Sequence, residues 1–303
     1  EVKRIDAIEI ERAVIHASRY FHAVNGKAEQ NPRVNVVLDD ARSHFLTSDR
    51  RYDVVISEPS NPWMVGVSGL FSRDYYDLAR ERLKPGGVFG QWLQLYRIDA
   101  RSVALILRTV LDSFEHVQLW LSDPYNVILV GSDRPIRVSG ARVRRAYARS
   151  RKLRSYMGVW GPGVQPEHMF GCYLLDRPAI EAIIARFPRE VMTDDRPVLE
   201  YRAVRHLMRN THDHMAAFLR AKMHLGKVLP AGAEDVSAGL ALAGASTVLR
   251  PEPRLSARLT AWAARRYPDE PQLKLARAKA AYRIGQYRVA NAQLQDLPDH
   301  PGY

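Results

Sequence analysis

Short apolar runs, most of them ending in a polar or acidic residue, alternate with stretches of helical apolar spacing from Ile5 to Val130. Ile5 to Ile10 reads as a buried strand, and Arg12 to Phe21 carries apolar residues at helical spacing behind it. Val34 to Leu38 is a second strand, and Val54-Val55-Ile56-Ser57 a third that runs straight into Glu58 and a Pro-bounded polar turn, Pro59-Ser60-Asn61-Pro62-Trp63. Arg73 to Leu83 is predicted as an amphipathic helix stopped by Lys84-Pro85-Gly86-Gly87. Val88 to Leu93 follows as a strand, Arg101 to Phe114 as a helix, and His116 to Leu121 with Asn126 to Val130 as a closing antiparallel pair. Alternation of strand and helix at this spacing predicts an α/β fold with a mostly parallel sheet covered on both faces.

In open α/β sheets ligands sit outside the carboxyl ends of the strands, so residues delivered there are the candidates for chemistry. Glu58 and Asn61 stand at such a point; the alternative for Glu58 is a cap for the turn that follows. Glu9, at the end of its strand, is placed to accept two side-by-side hydrogen bonds from ribose hydroxyls. Asp39 and Asp40 end the next strand, where an acid could accept a bond from an exocyclic adenine amine or cap a helix starting near Arg42.

The succession Ile8-Glu9-Ile10-Glu11, Leu38-Asp39-Asp40-Ala41-Arg42, Ser57 to Trp63, Leu70 to Tyr76, Leu83 to Val88 and Gln91-Trp92-Leu93 resembles the spermidine/spermine synthases, the polyamine aminopropyltransferases. It is most similar to the bacterial fused branch, in which a membrane segment precedes the catalytic domain, and Met192 to Tyr201 resembles a motif of that branch. The resemblance covers residues 1 to about 205 and implies a Rossmann-like, methyltransferase-type fold. It implies decarboxylated S-adenosylmethionine as co-substrate, an amine as acceptor, no prosthetic group and no metal. By position, Glu9 matches the ribose-binding acid, Asp40 with Ala41 the pair beside the adenine, and Glu58 the first acid of the catalytic loop, the base. Asn61 falls where that loop's second acid would be, a departure that removes a charge, and Asp194 or Asp195 is the candidate to replace it; a turn with a local ion pair is the other reading of Asp194-Asp195-Arg196. Relatives form dimers, so a homodimer is expected as well.

The glycine-rich loop of the first strand-to-helix turn has no counterpart before Glu1, and Gly161-Pro162-Gly163 neither follows a clear strand nor opens a clear helix. The chain is therefore expected to be an N-terminally incomplete piece, lacking the strand that would lie between the one ending at Glu9 and the one ending at Glu58. Weak cofactor binding by the piece alone follows from that expectation.

At 303 residues, 46% of them hydrophobic, the chain can bury a sizeable core, and it divides into residues 1–205 and a helical region, 206–303. No apolar run is long enough to span a bilayer, so any anchor of the parent protein lies upstream and the cytoplasmic side is the expected location. The single cysteine, Cys172, is read as core packing. A net charge of +12 is concentrated at Arg142, Arg144, Arg145, Arg149, Arg151, Lys152 and Arg154, read as a solvated helix face in preference to a nucleic-acid or anionic membrane surface. His206, His212 and His214 lack the further ligands a metal needs. Leu273 to Leu294 resembles a tetratricopeptide helix pair that would dock a protein partner or cap the fold. Three functions stay open: aminopropyl transfer, S-adenosylmethionine-dependent methyl transfer, and a catalytically inactive scaffold.

Overall fold

The computed structural model describes residues 2–64, 66–158, 164–205, 213–295 and 297. The first part of the chain runs β1 (Ile5–Glu9), α1 (Arg12–Ala17), α2 (His22–Asn25), β2 (Val34–Leu38), α3 (Ala41–Thr47), β3 (Tyr52–Ser57), α4 (Arg73–Glu81), β4 (Leu83–Gln94), α5 (Ala100–Ser113), β5 (His116–Asp123) and β6 (Asn126–Ser132). After these come α6 (Gly140–Arg149), α7 (Arg151–Gly158), β7 (Tyr173–Asp176), α8 (Arg177–Ile184) and α9 (Val198–Val204). The remainder is helical: α10 (Asp213–Leu225), α11 (Ala238–Val248), α12 (Pro253–Arg266), α13 (Pro271–Arg283) and α14 (Tyr287–Gln295). Among the described residues no helix is long and apolar enough to cross a membrane.

The described strands form two sheets. β1 pairs in parallel with β2, and β3-β4-β6-β5-β7 make a five-stranded sheet in which β3 and β4 are parallel and the other ladders antiparallel. β1 and β3 are thus each paired on one edge only among the described residues. This explains a departure from the reading of β1 as buried: with one ladder partner, none of its residues is fully buried. β3 is covered on one face only, Val55 and Ser57 being buried while Val54 and Ile56 are 55% and 74% exposed.

The helix predicted over Arg73 to Leu83 ends at Glu81, because Leu83 is already paired with Tyr52 and β4 begins there. The register then shifts between Tyr52 and Val54, and Pro85 and Gly86 take up the slack. Gly87 lies so close to the neighbouring strand that a Cβ would stand 3.1 Å from the Tyr52 carbonyl. Caps match the local chemistry: Asp40, Ser72 and Asp99 accept backbone N–H groups at the starts of α3, α4 and α5.

The core lies between the five-stranded sheet and α4 and α5, where Tyr75, Tyr76, Phe89, Ile106, Val110 and Phe114 are buried and Phe89 stacks on Phe114 with ring centroids 5.3 Å apart. It continues into the helical region through Phe218, Leu219, Leu242, Leu249 and Leu259. Two glycines make that junction close. A Cβ on Gly171 would stand 1.9 Å from the Ala241 carbonyl oxygen, and one on Gly244 would stand 2.2 Å from the His168 carbonyl oxygen. Lys222, fully buried on α10, donates to the carbonyls of Tyr173 and Val228, and burial lowers it to about 7. Cys172 is buried beside it, its thiol pushed up by burial to about 12.

Asp6 ties the small sheet to the large one. Its carboxylate, almost wholly enclosed, accepts bonds from Arg4 (2.9 Å), Asn35 (3.0 Å), Arg50 (3.2 Å) and the Tyr52 hydroxyl (3.2 Å). Burial opposes its ionisation, yet these donors and the Arg4 charge outweigh it and hold the carboxyl at about 2.

The basic segment lies on α6 and α7, where Arg144 pairs with Glu167 at 3.0 Å and also with Asp235, and Arg154 donates to the Tyr147 and Ala148 carbonyls. The stretch read as tetratricopeptide-like forms the helix pair α13 and α14, with Tyr282 and Tyr287 exposed against each other. Gly161 to Gly163, His206 and His212 lie outside the described residues, whereas His214 has its Nε2 2.7 Å from the Ile98 carbonyl.

Two outcomes are expected. Gly244→Ala destabilises the chain by about 1–3 kcal/mol in urea unfolding, whereas Gly158→Ala, with nothing within 4 Å of its Cβ, changes stability by less than about 0.5 kcal/mol. For Asp6, a lowered carboxyl contributes stability above the unfolded-state value of about 4 that is lost as pH falls towards 2. Asp6→Asn therefore lowers stability at pH 7 and flattens its acid limb between about pH 4 and 2; an acid limb identical to that of the wild type would contradict the assignment.

Candidate active site

Beneath the carboxyl ends of β3 and β4 lies a buried polar network. Tyr75 donates its hydroxyl to Ser57 Oγ at 3.0 Å, and Tyr76 donates to Gln91 Oε1 at 2.6 Å. Gln91 Nε2 donates to the Leu70 carbonyl at 2.8 Å and reaches Ser57 Oγ at 3.5 Å. Burial raises both tyrosines above their ordinary range, which keeps them as neutral donors. Ser57 and Gln91 are partners in the parallel ladder and share the face towards α4. Because side chains alternate along a strand, the next residues, Glu58 and Trp92, are sent to the opposite face.

There Glu58, Pro59 and Trp92 line a hollow of about 310 Å³. The Glu58 side chain is exposed, and Pro59 is buried beside it. Asn61 is half-buried; its Oδ1 accepts a long bond of 3.5 Å from the Tyr96 hydroxyl, and Tyr96 meets the Trp63 ring edge-on with centroids 6.5 Å apart. An exposed carboxylate at the mouth of an aromatic-walled hollow can hold a cationic amine or take its proton.

Glu9 and the aspartates stand together at the end of the small sheet, where the Asp39 amide donates to the Glu9 carbonyl at 3.1 Å. Glu9 Oε1 accepts the Glu11 amide at 2.8 Å, and Asp40 Oδ1 accepts the Ser43 amide at 2.9 Å, so each carboxylate has one oxygen engaged by its own turn. Asp40 therefore does cap a helix, α3, of which Ala41 is the first residue. Asp40 and Arg42 lie near enough for their charges to act on Tyr75, whose hydroxyl binds Ser57.

Asp194 is engaged elsewhere. Arg42 grips it with two guanidinium nitrogens, one at 3.0 Å, and Ser72 donates to it at 2.6 Å. Burial raises its carboxyl, but the Arg42 and Ser72 bonds prevail and leave it lowered. Its amide donates to Asp74 at 2.9 Å, while Asp195 is exposed and accepts the Thr193 hydroxyl at 2.5 Å. The ion pair is long-range, between α3 and the turn after Met192, where the sequence offered a local pair with Arg196. The stretch is anchored further by Ser68, which donates to Glu200 at 3.0 Å. The sequence conceals such a pairing, since Arg42 is 152 residues from its partner.

Trp92 stands in a sequence motif that assigns it no role, and Tyr96 carries no mark of its own in the sequence. Strict alternation from Gln91, whose amide has to be buried to meet Tyr76, is the signal that would have put Trp92 in the hollow.

Residues 1–122 match the spermine/spermidine synthase domain. The chain is 34% identical over 88 residues to polyamine aminopropyltransferase 1 of Pseudomonas aeruginosa, a stretch amounting to 29% of this chain and 30% of that protein. Similarity to the polyamine aminopropyltransferase of Aeropyrum pernix is 25% over 150 residues, 46% of this chain and 48% of the other. The chain thus spans less than half the length of these curated relatives. Among solved structures, a probable spermidine synthase from Corynebacterium glutamicum is similar with a TM-score of 0.45 and 20% identity, covering 63% of each chain. Glu9, Asp40, Glu58 and Trp92 all fall within the segment, residues 1–122, that is similar to the spermine/spermidine synthase domain.

Proposed function

We propose that this chain serves aminopropyl transfer from decarboxylated S-adenosylmethionine to an amine acceptor, with release of methylthioadenosine. The observation that carries the reading is Glu58, delivered by the carboxyl end of β3 into a hollow it shares with Pro59 and Trp92. The lone pair of the amine nitrogen attacks the methylene carbon beside the sulfonium, the carbon–sulfur bond breaks with its electrons going to sulfur, and the new ammonium gives a proton to Glu58. Only an unprotonated amine has the lone pair to do this, so a carboxylate that positions the amine and takes its proton is what the step requires of the protein. Glu9 would hold the ribose hydroxyls, and Asp40 with Ala41 would lie beside the adenine; each carboxylate has a second oxygen beyond the one given to its turn. Residues 1–205 would carry this chemistry, with 206–303 as a helical support.

A second reading, an inactive scaffold, is favoured by one observation: Asn61 is uncharged and Asp194, the nearest substitute in sequence logic, is bound to Arg42 and Ser72. The same experiment separates the two. Glu58→Gln is expected to reduce aminopropyl transfer by about 10²–10⁴-fold while leaving calorimetric affinity for methylthioadenosine within about twofold. Unchanged turnover would remove Glu58 from the role of base, and nucleoside binding without transfer in the wild type would favour the scaffold.

A further inference from the structure

No aspartate or glutamate occurs between Asp133 and Glu167, a stretch that holds eight arginines and one lysine. In space the helices of this stretch divide their side chains by face. Val143 packs half-buried against the cluster of Phe170, Ala233 and Val236, and the half-buried Tyr147 donates its hydroxyl to the Val164 carbonyl at 3.4 Å. Arg144, on the same side of α6, is neutralised by Glu167 and Asp235. At about 100° per residue, Arg142, Arg145 and Arg149 lie within about 60° of one another on the opposite side, over about 10 Å of the helix axis. All three are exposed, and Arg151 and Lys152 carry the exposed charge on to α7. α7 is fastened to the end of α6 by Arg154, which donates to the Tyr147 and Ala148 carbonyls at 2.8 and 2.7 Å. None of the five outward cations has a side-chain hydrogen-bond or ion-pair partner among the described residues.

Helix stability does not account for this row. Like charges three and four residues apart repel, as Arg142 with Arg145 and Arg145 with Arg149 must. Arg142 also stands in the first turn, where the helix dipole favours an acid and α6 has none. A face kept only for solvation gains by interleaving acids at helical spacing, and α6 and α7 contain none. An anion laid along the row turns the repulsion into attraction.

The form of the surface narrows that anion. Because Val143 and Tyr147 are committed inward, α6 has no apolar side left for a bilayer, where an interfacial helix lays its own. A row of about 10 Å matches about three phosphates of one nucleic-acid strand, and the arginine fork grips phosphate oxygens two at a time. Tyr156, four residues after Lys152 and so on the same side of α7, is exposed and presents a ring on which an unpaired base can stack.

We propose that the open side of α6 and α7 binds single-stranded nucleic acid, with phosphates along Arg142, Arg145, Arg149, Arg151 and Lys152 and a base on Tyr156. The surface stands apart from the hollow at Glu58, which none of these residues lines, and would serve equally in a chain that transfers no aminopropyl group.

The test titrates the full chain into a short labelled oligouridylate, followed by fluorescence anisotropy at several salt concentrations. Log affinity is expected to fall against log salt with a slope of about −3 to −4, as five cations require. Arg142→Glu, Arg145→Glu and Arg149→Glu together should weaken binding by about 100-fold or more, and Tyr156→Ala by about tenfold, with the circular dichroism unchanged. Should the triple reversal fail to fold, glutamine at the same three positions lowers the slope by about 2. Absence of binding, or binding and slope that ignore these changes, overturns the inference. So does an equal loss on reversing Arg254, Arg258 and Arg265, exposed on α12, since net charge alone would then be responsible. Vesicles of mixed phosphatidylserine and phosphatidylcholine, and a duplex of the same length, complete the comparison. Capture by vesicles without capture of the oligonucleotide identifies a lipid surface instead, and a duplex held as tightly as the single strand with Tyr156→Ala silent removes the base from the site; either overturns the proposal.

Discussion

A buried hydroxyl–amide network beneath the ends of β3 and β4 decides which side chains those strand ends present. Tyr75, Tyr76, Gln91 and Ser57 satisfy one another where no water reaches, and any slip of β3 against β4 would leave several of these groups unpaired. A slip of β3 by one residue would also turn Ser57 outward and bring Glu58 into the core. Thus the polar groups on the hidden face fix the register, and the register presents a carboxylate and an indole on the open face. The aromatic packing of Phe89 between Tyr76 and Phe114 supports the same arrangement from below.

The second organising contact is the Arg42–Asp194 pair. It fastens the start of α3 to the turn after Met192, and Ser72, the cap of α4, shares the carboxylate. Three segments far apart in the chain are thereby held around the loop that follows Glu58. The same bond removes a negative charge from the list of groups that could meet an amine. The turn after β3 itself offers one charged and one neutral side chain, Glu58 and Asn61.

Much of this was legible in the sequence because strands of this kind announce their ends. β2 runs over the residues expected, and Glu9, Asp40 and Glu58 sit at strand ends as their apolar runs foretold. What escaped was whatever depends on partners distant in sequence. Asp194 looks like a local turn residue until Arg42 arrives from α3. Gln94 reads as one more polar position until the antiparallel register sets Asn126 opposite it. The end of α4 was misjudged by two residues because tertiary pairing of Leu83 with Tyr52 overrides the helical periodicity. Lys222 carries no sequence mark of burial, since its enclosure comes from the carbonyls of Tyr173 and Val228 on other segments.

Backbone amide exchange in Gln91→Leu tests the governing role of the network most directly. Loss of that amide strands the Tyr76 hydroxyl and frees the end of β3, so exchange at Ser57 and Glu58 should accelerate by about tenfold or more while β5 and β6 keep their protection. Unaltered protection at Ser57 and Glu58, or an equal rise across every strand of the sheet, would contradict the account.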